Sequence, residues 1–202
     1  MKIFPSTRLG ATFFSALFCT ALFGCGSPPA VAPTAYEEYN ANDGTFALEY
    51  PEEWSEDGGG KHGPVWAKFI SGPAEIRVNG DVVGSLLGDI AGNTAPNQDQ
   101  ISPELQAVHQ VHEMGEEAAA AEFSGYEEIG EPVELVVPLG PARKSEFKST
   151  AAFGSGTHGY RVTILGKDKR LVVFAVCPET DWATLQPAFD RVLKSLKRGR
   201  PE

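Results

Sequence analysis

The spacing of apolar residues changes character along the chain, and each change predicts a different element. Residues 9–23 (LGATFFSALFCTALF) are apolar or small without alternation. Residues 26–43 (GSPPAVAPTAYEEYNAND) mix proline, alanine and acid with no period, the composition of an extended tether. Period two begins with GTFALEYPEEW: residues 45–50 alternate, Phe46 and Leu48 share a face, Pro51 stops the strand and Trp54 follows in the turn. EDGGGKHG reads as a loop. Residues 64–71 (PVWAKFIS) and 74–80 (AEIRVNG) alternate again, and Gly72-Pro73 between them predicts a hairpin. DVVGSLLGDIAG, residues 81–92, reads as a short irregular or helical piece, and NTAPNQDQIS as a loop.

The period then lengthens. Ser102 is placed to cap a helix with Pro103 at its first position, running to about Phe123. Its apolar face is Leu105, Val108, Val111, Gly115, Ala119 and Phe123. Strands are predicted over residues 133–137 and 142–154, with two more within 158–178 that turn at Gly166–Lys169. Thr180 or Asp181 caps a last helix, whose Trp182, Leu185, Phe189, Val192 and Leu196 form one stripe. Lys194, Lys197 and Arg198 crowd its end, where the helix dipole favours cations. Strands, helix, strands, helix is the order of an α+β protein: an antiparallel β-sheet covered by helices.

The opening FALEYPEEW and the closing Trp182–Leu196 pattern (WATLQPAFDRVLKSL) resemble the PsbP family. The resemblance spans residues 44–198 and rests on Phe46, Tyr50, Pro51, Trp54, Phe189, Val192, Ser195 and Leu196. It implies a PsbP-like α/β/α sandwich. PsbP itself is an extrinsic subunit of the photosynthetic oxygen-evolving complex, and many bacterial lipoproteins of unknown role have similar domains. The shared residues are structural, so the resemblance implies a fold and no activity.

The non-alternating run changes the picture of where the chain resides. Lys2 and Arg8 precede it and no acid does, the layout of a secretory signal. As a helix it would reach roughly 22 Å, short of a hydrocarbon core of about 30 Å. It ends in Leu22-Phe23-Gly24-Cys25, which resembles the lipobox of bacterial lipoproteins. The resemblance implies a diacylglycerol on the Cys25 sulfur, cleavage before Cys25 and acylation of the new amino group. A thiolate suits thioether formation, and Gly24 is small enough for a peptidase groove. Phe23 departs from the usual small or β-branched residue, and Cys19 lacks the preceding glycine. Gly26 and Ser27 follow, without the aspartate that retains many lipoproteins at the inner membrane. The expected organisation is a signal peptide over 1–24, a lipidated N-terminus and flexible tether over 25–43, a globular domain over 44–198 and a tail over 199–202. The expected location is the bacterial cell envelope, lipid-anchored, at the outer membrane facing the periplasm.

Composition narrows the function classes. The chain carries 27 acidic and 17 basic residues, a net charge of −10, and two of the basic ones lie in the leader. A nucleic-acid partner is therefore not expected. Besides Cys25, only Cys177 remains after the leader, so no internal disulfide braces the domain. Cys177 ends a Val/Phe strand and reads as a buried inert thiol.

The best candidate for chemistry is AVHQVHEMGEE. His109, His112 and Glu116, with Glu113 beside them, fall toward one side of a helix, and imidazole with carboxylate can bind Zn²⁺. The competing reading makes His112 a neutral core histidine facing the sheet. GGGKHG lacks the phosphate-loop spacing, and GSGTHG reads as a strand connection with His158 exposed on it. The basic end KSLKRGRPE reads as a solvated helix terminus. No G-x-S-x-G, H-E-x-x-H or C-x-x-C motif is present, and no cofactor is expected. Two hypotheses follow. One is a membrane-anchored, non-enzymatic binding or assembly domain with a protein partner in the envelope. The other is a metal-binding or hydrolytic protein using His109, His112 and Glu116.

Overall fold

The alternating segments hydrogen-bond to one another in a seven-stranded antiparallel sheet. The computed structural model describes residues 30–59, 65–82, 103–151, 154–166 and 169–201. Its strands are β1 (Tyr36–Asn40), β2 (Ala47–Pro51), β3 (Ser55–Gly59), β4 (Val65–Ser71), β5 (Ala74–Val82), β6 (Glu127–Val137), β7 (Gly140–Thr150), β8 (Gly156–Leu165) and β9 (Lys169–Pro178). The helices are α1 (Pro103–Met114), α2 (Glu116–Glu122) and α3 (Trp182–Ser195), the last entered through a 3₁₀ turn, Glu179–Asp181. The sheet order is β3-β4-β5-β9-β8-β7-β6, and β1 and β2 form a separate two-stranded ribbon.

The two faces of the sheet are covered by different elements. Tyr160, Val162, Ile164, Leu171, Val173 and Ala175 meet the α3 stripe Trp182, Leu185, Phe189, Val192 and Leu196 in the main core, all of them buried. The opposite face carries two smaller clusters under α1 and α2: Ala107, Val108 and Val111 with Leu165, and Ala119 with Phe147 and Phe174. Helix–sheet–helix layering explains why residues 158–165 of β8 are buried without a break. A strand covered on both faces loses its polar side. The fold is therefore α+β, as the element order predicts.

The residues shared with the PsbP pattern sit where α3 meets the ribbon. Trp54 packs edge-on against Phe189 at 6.1 Å. Tyr50 stacks on Phe69 at 4.5 Å. Ser195 Oγ accepts the Glu49 N–H at 2.8 Å and donates to the Val192 carbonyl at 2.7 Å, tying the end of α3 to β2.

Several elements depart from the expected ones. Residues 36–40, within the segment read as tether, form β1. Its YEEYN has no period of two; it is held by pairing with β2, by Tyr39 packed on Phe46 and Phe69, and by Arg191 over the Tyr36 ring at 3.8 Å. The tail is tied back as well, with Asn40 accepting the Arg200 N–H at 2.8 Å. Part of the expected glycine-rich loop is β3, an edge strand without apolar side chains. A Cβ built at Gly58 would meet the Tyr39 hydroxyl, and one at Gly59 the Trp66 indole, so the glycines there permit close approach. β6 begins at Glu127, well before residue 133, and carries a register shift between Ile129 and Val133. Asp181 occupies the N-cap position of α3 without making a side-chain cap bond.

The first long helix is two helices. The Arg161 Nη1 donates to the His112 carbonyl at 2.6 Å, and that carbonyl also accepts the Gly115 N–H at 3.1 Å. The usual i to i+4 bond is replaced at that turn, and α2 starts afresh at Glu116. A Cβ on Gly115 would lie 3.1 Å from Arg161 Nη1, so a side chain there crowds the guanidinium. The leader, Cys25, residues 60–64, and residues 83–102 with the SLLGDIAG segment and the Ser102 cap lie outside the described residues.

Candidate functional site

His112 enters the sheet from α1 and is 1% exposed. Its Nε2 lies 2.8 Å from Ser145 Oγ on β7, and its Nδ1 lies 2.9 Å from Thr163 Oγ1 on β8. Ser145 donates to Glu128 Oε2 at 2.8 Å. The proton order follows from that bond. Ser145 accepts from His112 Nε2–H, and Nδ1 accepts from the Thr163 hydroxyl. Glu128 Oε1 accepts in addition from Arg161 Nη2 at 2.7 Å and from the Tyr126 hydroxyl at 2.6 Å. The result is a closed network of His112, Ser145, Thr163, Glu128, Tyr126 and Arg161.

Its electrostatics match its burial. Loss of solvent, with the Arg161 charge second, pushes the His112 imidazole down to about 3. Burial raises Glu128, but bonds from Tyr126, Arg161 and Ser145 outweigh it and hold the carboxyl below its ordinary range. Burial, followed by the bond to Glu128, raises Tyr126. The site thus keeps a neutral imidazole beside a fixed ion pair.

The structure does not bring His109, His112 and Glu116 together. His109 Nε2 lies 2.7 Å from Glu134 Oε1 and 2.7 Å from Arg143 Nη1. Glu116 lies across the helix break, exposed, as is Glu113. Among the described residues no group of three His, Cys, Asp or Glu side chains could hold a metal ion. The break at Gly115 takes Glu116 off the helix that carries His109 and His112, so the periodicity that aligned residues 109 and 116 does not run through it, and the two histidines turn to different partners.

A second histidine was misplaced by the sequence. His158 is not exposed on a turn but buried in β8, at 7% exposure. Its ring stacks on Trp182 at 4.0 Å and 8°. Its Nε2 lies 2.7 Å from Glu146 Oε1 and its Nδ1 3.3 Å from Glu179 Oε2, with Lys148 3.2 Å from Glu179. Cys177, its neighbour on β9, is 1% exposed, and burial, then the Asp181 and Glu179 charges, push its thiol up to about 12. No thiolate chemistry is available to it at neutral pH.

Surface clefts occur at both ends of the sheet among the described residues. The first, about 410 Å³, lies between residues 30–35, Trp54, the Gly72-Pro73 turn and Leu185. Another, about 240 Å³, lies at the other end of the sheet, lined by Asp43, Thr45, Lys169 and Arg198 among others. The third, about 400 Å³, adjoins it and includes Lys197 and Arg200.

No family model matches the chain, and no curated protein matches it. Solved structures do. The cyanobacterial PsbP protein CyanoP from Synechocystis sp. PCC 6803 superposes with a TM-score of 0.54 at 14% identity, covering 86% of this chain and 98% of that one. LpqN, described as involved in cell envelope biogenesis of Mycobacterium tuberculosis, gives a TM-score of 0.49 at 11% identity, covering 83% and 93%. A protein of unknown function from Pseudomonas aeruginosa gives 0.44 at 16%, covering 84% and 100%. The likeness to CyanoP shows that the fold is PsbP-like.

Proposed function

We propose that this chain is a bacterial cell-envelope lipoprotein, held to the membrane by lipid on Cys25, whose PsbP-like domain binds or assembles with a protein and performs no catalysis. One observation carries the reading: Leu22-Phe23-Gly24-Cys25 closes an apolar run that follows Lys2 and Arg8. Two or more acyl chains make such an anchor stable, at about 0.8 kcal/mol per buried methylene. The described residues contain no helix long and apolar enough to cross a membrane. Gly26 and Ser27 after the cysteine favour the outer membrane, facing the periplasm.

The non-enzymatic part is supported by the polar network. A hydrolytic triad needs a carboxylate on the imidazole and a serine that substrate can reach. Here the carboxylate sits on Ser145, and Ser145 is 2% exposed. Mass spectrometry of the protein from bacterial membranes tests the anchor. The expected N-terminal peptide begins at a triacylated Cys25, and Cys25→Ala is expected to release the protein from the membrane fraction. An unmodified Cys25 in a membrane-bound protein would overturn the reading. Pull-down with the purified protein against envelope extract tests the binding role, and recovery of no specific protein would count against it.

A further inference from the structure

The chain enters the domain at one end of the sheet, and that end is fixed. Ala30 packs against the main core, and the Ala35 carbonyl accepts the Glu52 N–H at 3.1 Å. β1 then runs away from this point, from Tyr36 opposite Pro51 to Asn40 opposite Ala47. Only residues 26–29 separate Ala30 from Cys25. Five residue steps span at most roughly 18 Å however the chain is arranged. The tether expected over residues 25–43 is therefore much shorter in reach, because its second half belongs to the domain.

The sheet is longer than that reach. β9 runs from Lys169 at the far end to Pro178 beside the entry point, and ten residues of strand cover about 30 Å. The Lys169 and Arg198 end cannot turn squarely onto a bilayer that holds Cys25, since the entry point would then stand about 30 Å above it. The entry end can meet the bilayer without strain. It offers the 410 Å³ cleft between residues 30–35, Trp54, Pro73 and Leu185, with Val31 standing 82% exposed at its edge.

The geometry points to the following: the face built by residues 30–35, Trp54 and the Gly72-Pro73 turn is the face turned to the lipid bilayer, and the end carrying Lys169, Lys197, Arg198 and Arg200 is presented away from it. This rests on the lipid anchor proposed above. The occupant of the cleft face, where Glu53 and Asp181 stand among Val31, Pro33, Trp54 and Leu185, is the lipid surface, argued from the length of chain that joins it to Cys25. The basic end stands beyond the reach of the membrane's own surface potential, which decays over roughly 10 Å. It is therefore not engaged with lipid phosphate; Lys169 pairs instead with Asp43 at 2.9 Å and Lys197 with Glu38 at 2.9 Å.

The test uses the full chain, matured in a bacterial host and reconstituted in phosphatidylcholine vesicles. A fluorophore is attached at Ser71→Cys in one protein and at Arg198→Cys in another; both positions are exposed. Cys177 stays unlabelled because it is buried, and Cys25 has no free thiol once lipidated. Energy transfer to a headgroup-labelled lipid is measured from each site. Several-fold stronger transfer from residue 71 than from residue 198 is expected. Equal transfer, or stronger transfer from residue 198, with a lipidated Cys25 in the mass spectrum, overturns the orientation alone. A mass lacking the lipid overturns the anchor and the orientation with it.

Discussion

Replacing His112 by asparagine should flatten the pH dependence of stability between pH 6.5 and 4.5. The imidazole is neutral in the folded protein down to about pH 3, while an ordinary histidine of the unfolded chain takes up a proton near 6.5. Its folded value lies below its unfolded one. Below 6.5 the unfolded chain binds a proton that the folded chain refuses, so stability falls as pH falls. The contribution is fully present above 6.5 and is lost toward 3. The slope approaches about 1.4 kcal/mol per pH unit once the unfolded histidine is charged. Between pH 6.5 and 4.5 it integrates to roughly 2 kcal/mol. Glu128, held below its ordinary range, is present in both proteins, so the difference between their curves isolates the imidazole. The assay is urea denaturation of the purified protein at several pH values, with and without His112→Asn. The asparagine can still bond Ser145 or Thr163, so the variant is expected to fold. Its curve should lose about 2 kcal/mol less than the parent over the window. Parallel curves for the two proteins would refute the reasoning, since the folded imidazole would then be taking up its proton like an exposed one.

Arg161→Met should cost about 3 kcal/mol, the lower end for breaking a buried ion pair, because the Glu128 side chain keeps 19% exposure. Adding Glu128→Gln should recover part of that loss, and a double variant no better than the single one in denaturant would show that the charges do not pair. Phe189→Ala should cost about 3–5 kcal/mol, since a fully buried ring against Trp54, Tyr160 and Trp182 leaves a cavity; thermal unfolding within a degree of the parent would sink this. Ser195→Ala should cost about 1–2 kcal/mol by leaving the Glu49 N–H without its acceptor, as read by urea denaturation. A thiol reagent should modify Cys177 only as fast as the protein unfolds, and rapid modification under native conditions would contradict its burial.

The sheet and α3 were legible because their signals are local. AEIRVNG alternates, RLVVFAVCP is a short continuous apolar run rich in valine, Gly72 adopts φ +56° in the turn between β4 and β5, and the α3 stripe repeats with helical spacing. β1 and β3 were not legible because neither carries its own reason to be a strand. YEEYN and SEDGG are strands by virtue of β2 and β4, residues the chain brings alongside. The separation of the candidate metal ligands has a related reason. Aligning His109 with Glu116 assumed an unbroken helix, and the bond that breaks it comes from Arg161. Nothing in AVHQVHEMGEE announces that donor, although the glycine at 115 was a weak sign of a break. The placement of His112 against the sheet was readable from the apolar face around it. Its partners Ser145 and Thr163 were not, since pairing of distant strands sets them.

The two faces of the sheet hold their helices by different means, and this explains what the buried histidine does. On the α3 face, large rings and leucines interlock, so shape alone fixes the helix. Under α1 the apolar contacts come from Ala107, Val108, Val111 and Leu165, small or branched side chains that would tolerate a shifted helix. A shift of one turn would separate His112 from Ser145 and Thr163 and the His112 carbonyl from Arg161. Each buried group left without a partner costs about 1–3 kcal/mol, so the misplaced arrangement is strongly disfavoured. Serine, histidine and glutamate at hydrogen-bond distance thus serve placement here. Their protons run from imidazole to hydroxyl to carboxylate, the reverse of the direction in which a base activates a nucleophile. The same trio that would suggest hydrolysis on a surface is, in this order and under two helices, the device that registers α1 on the sheet.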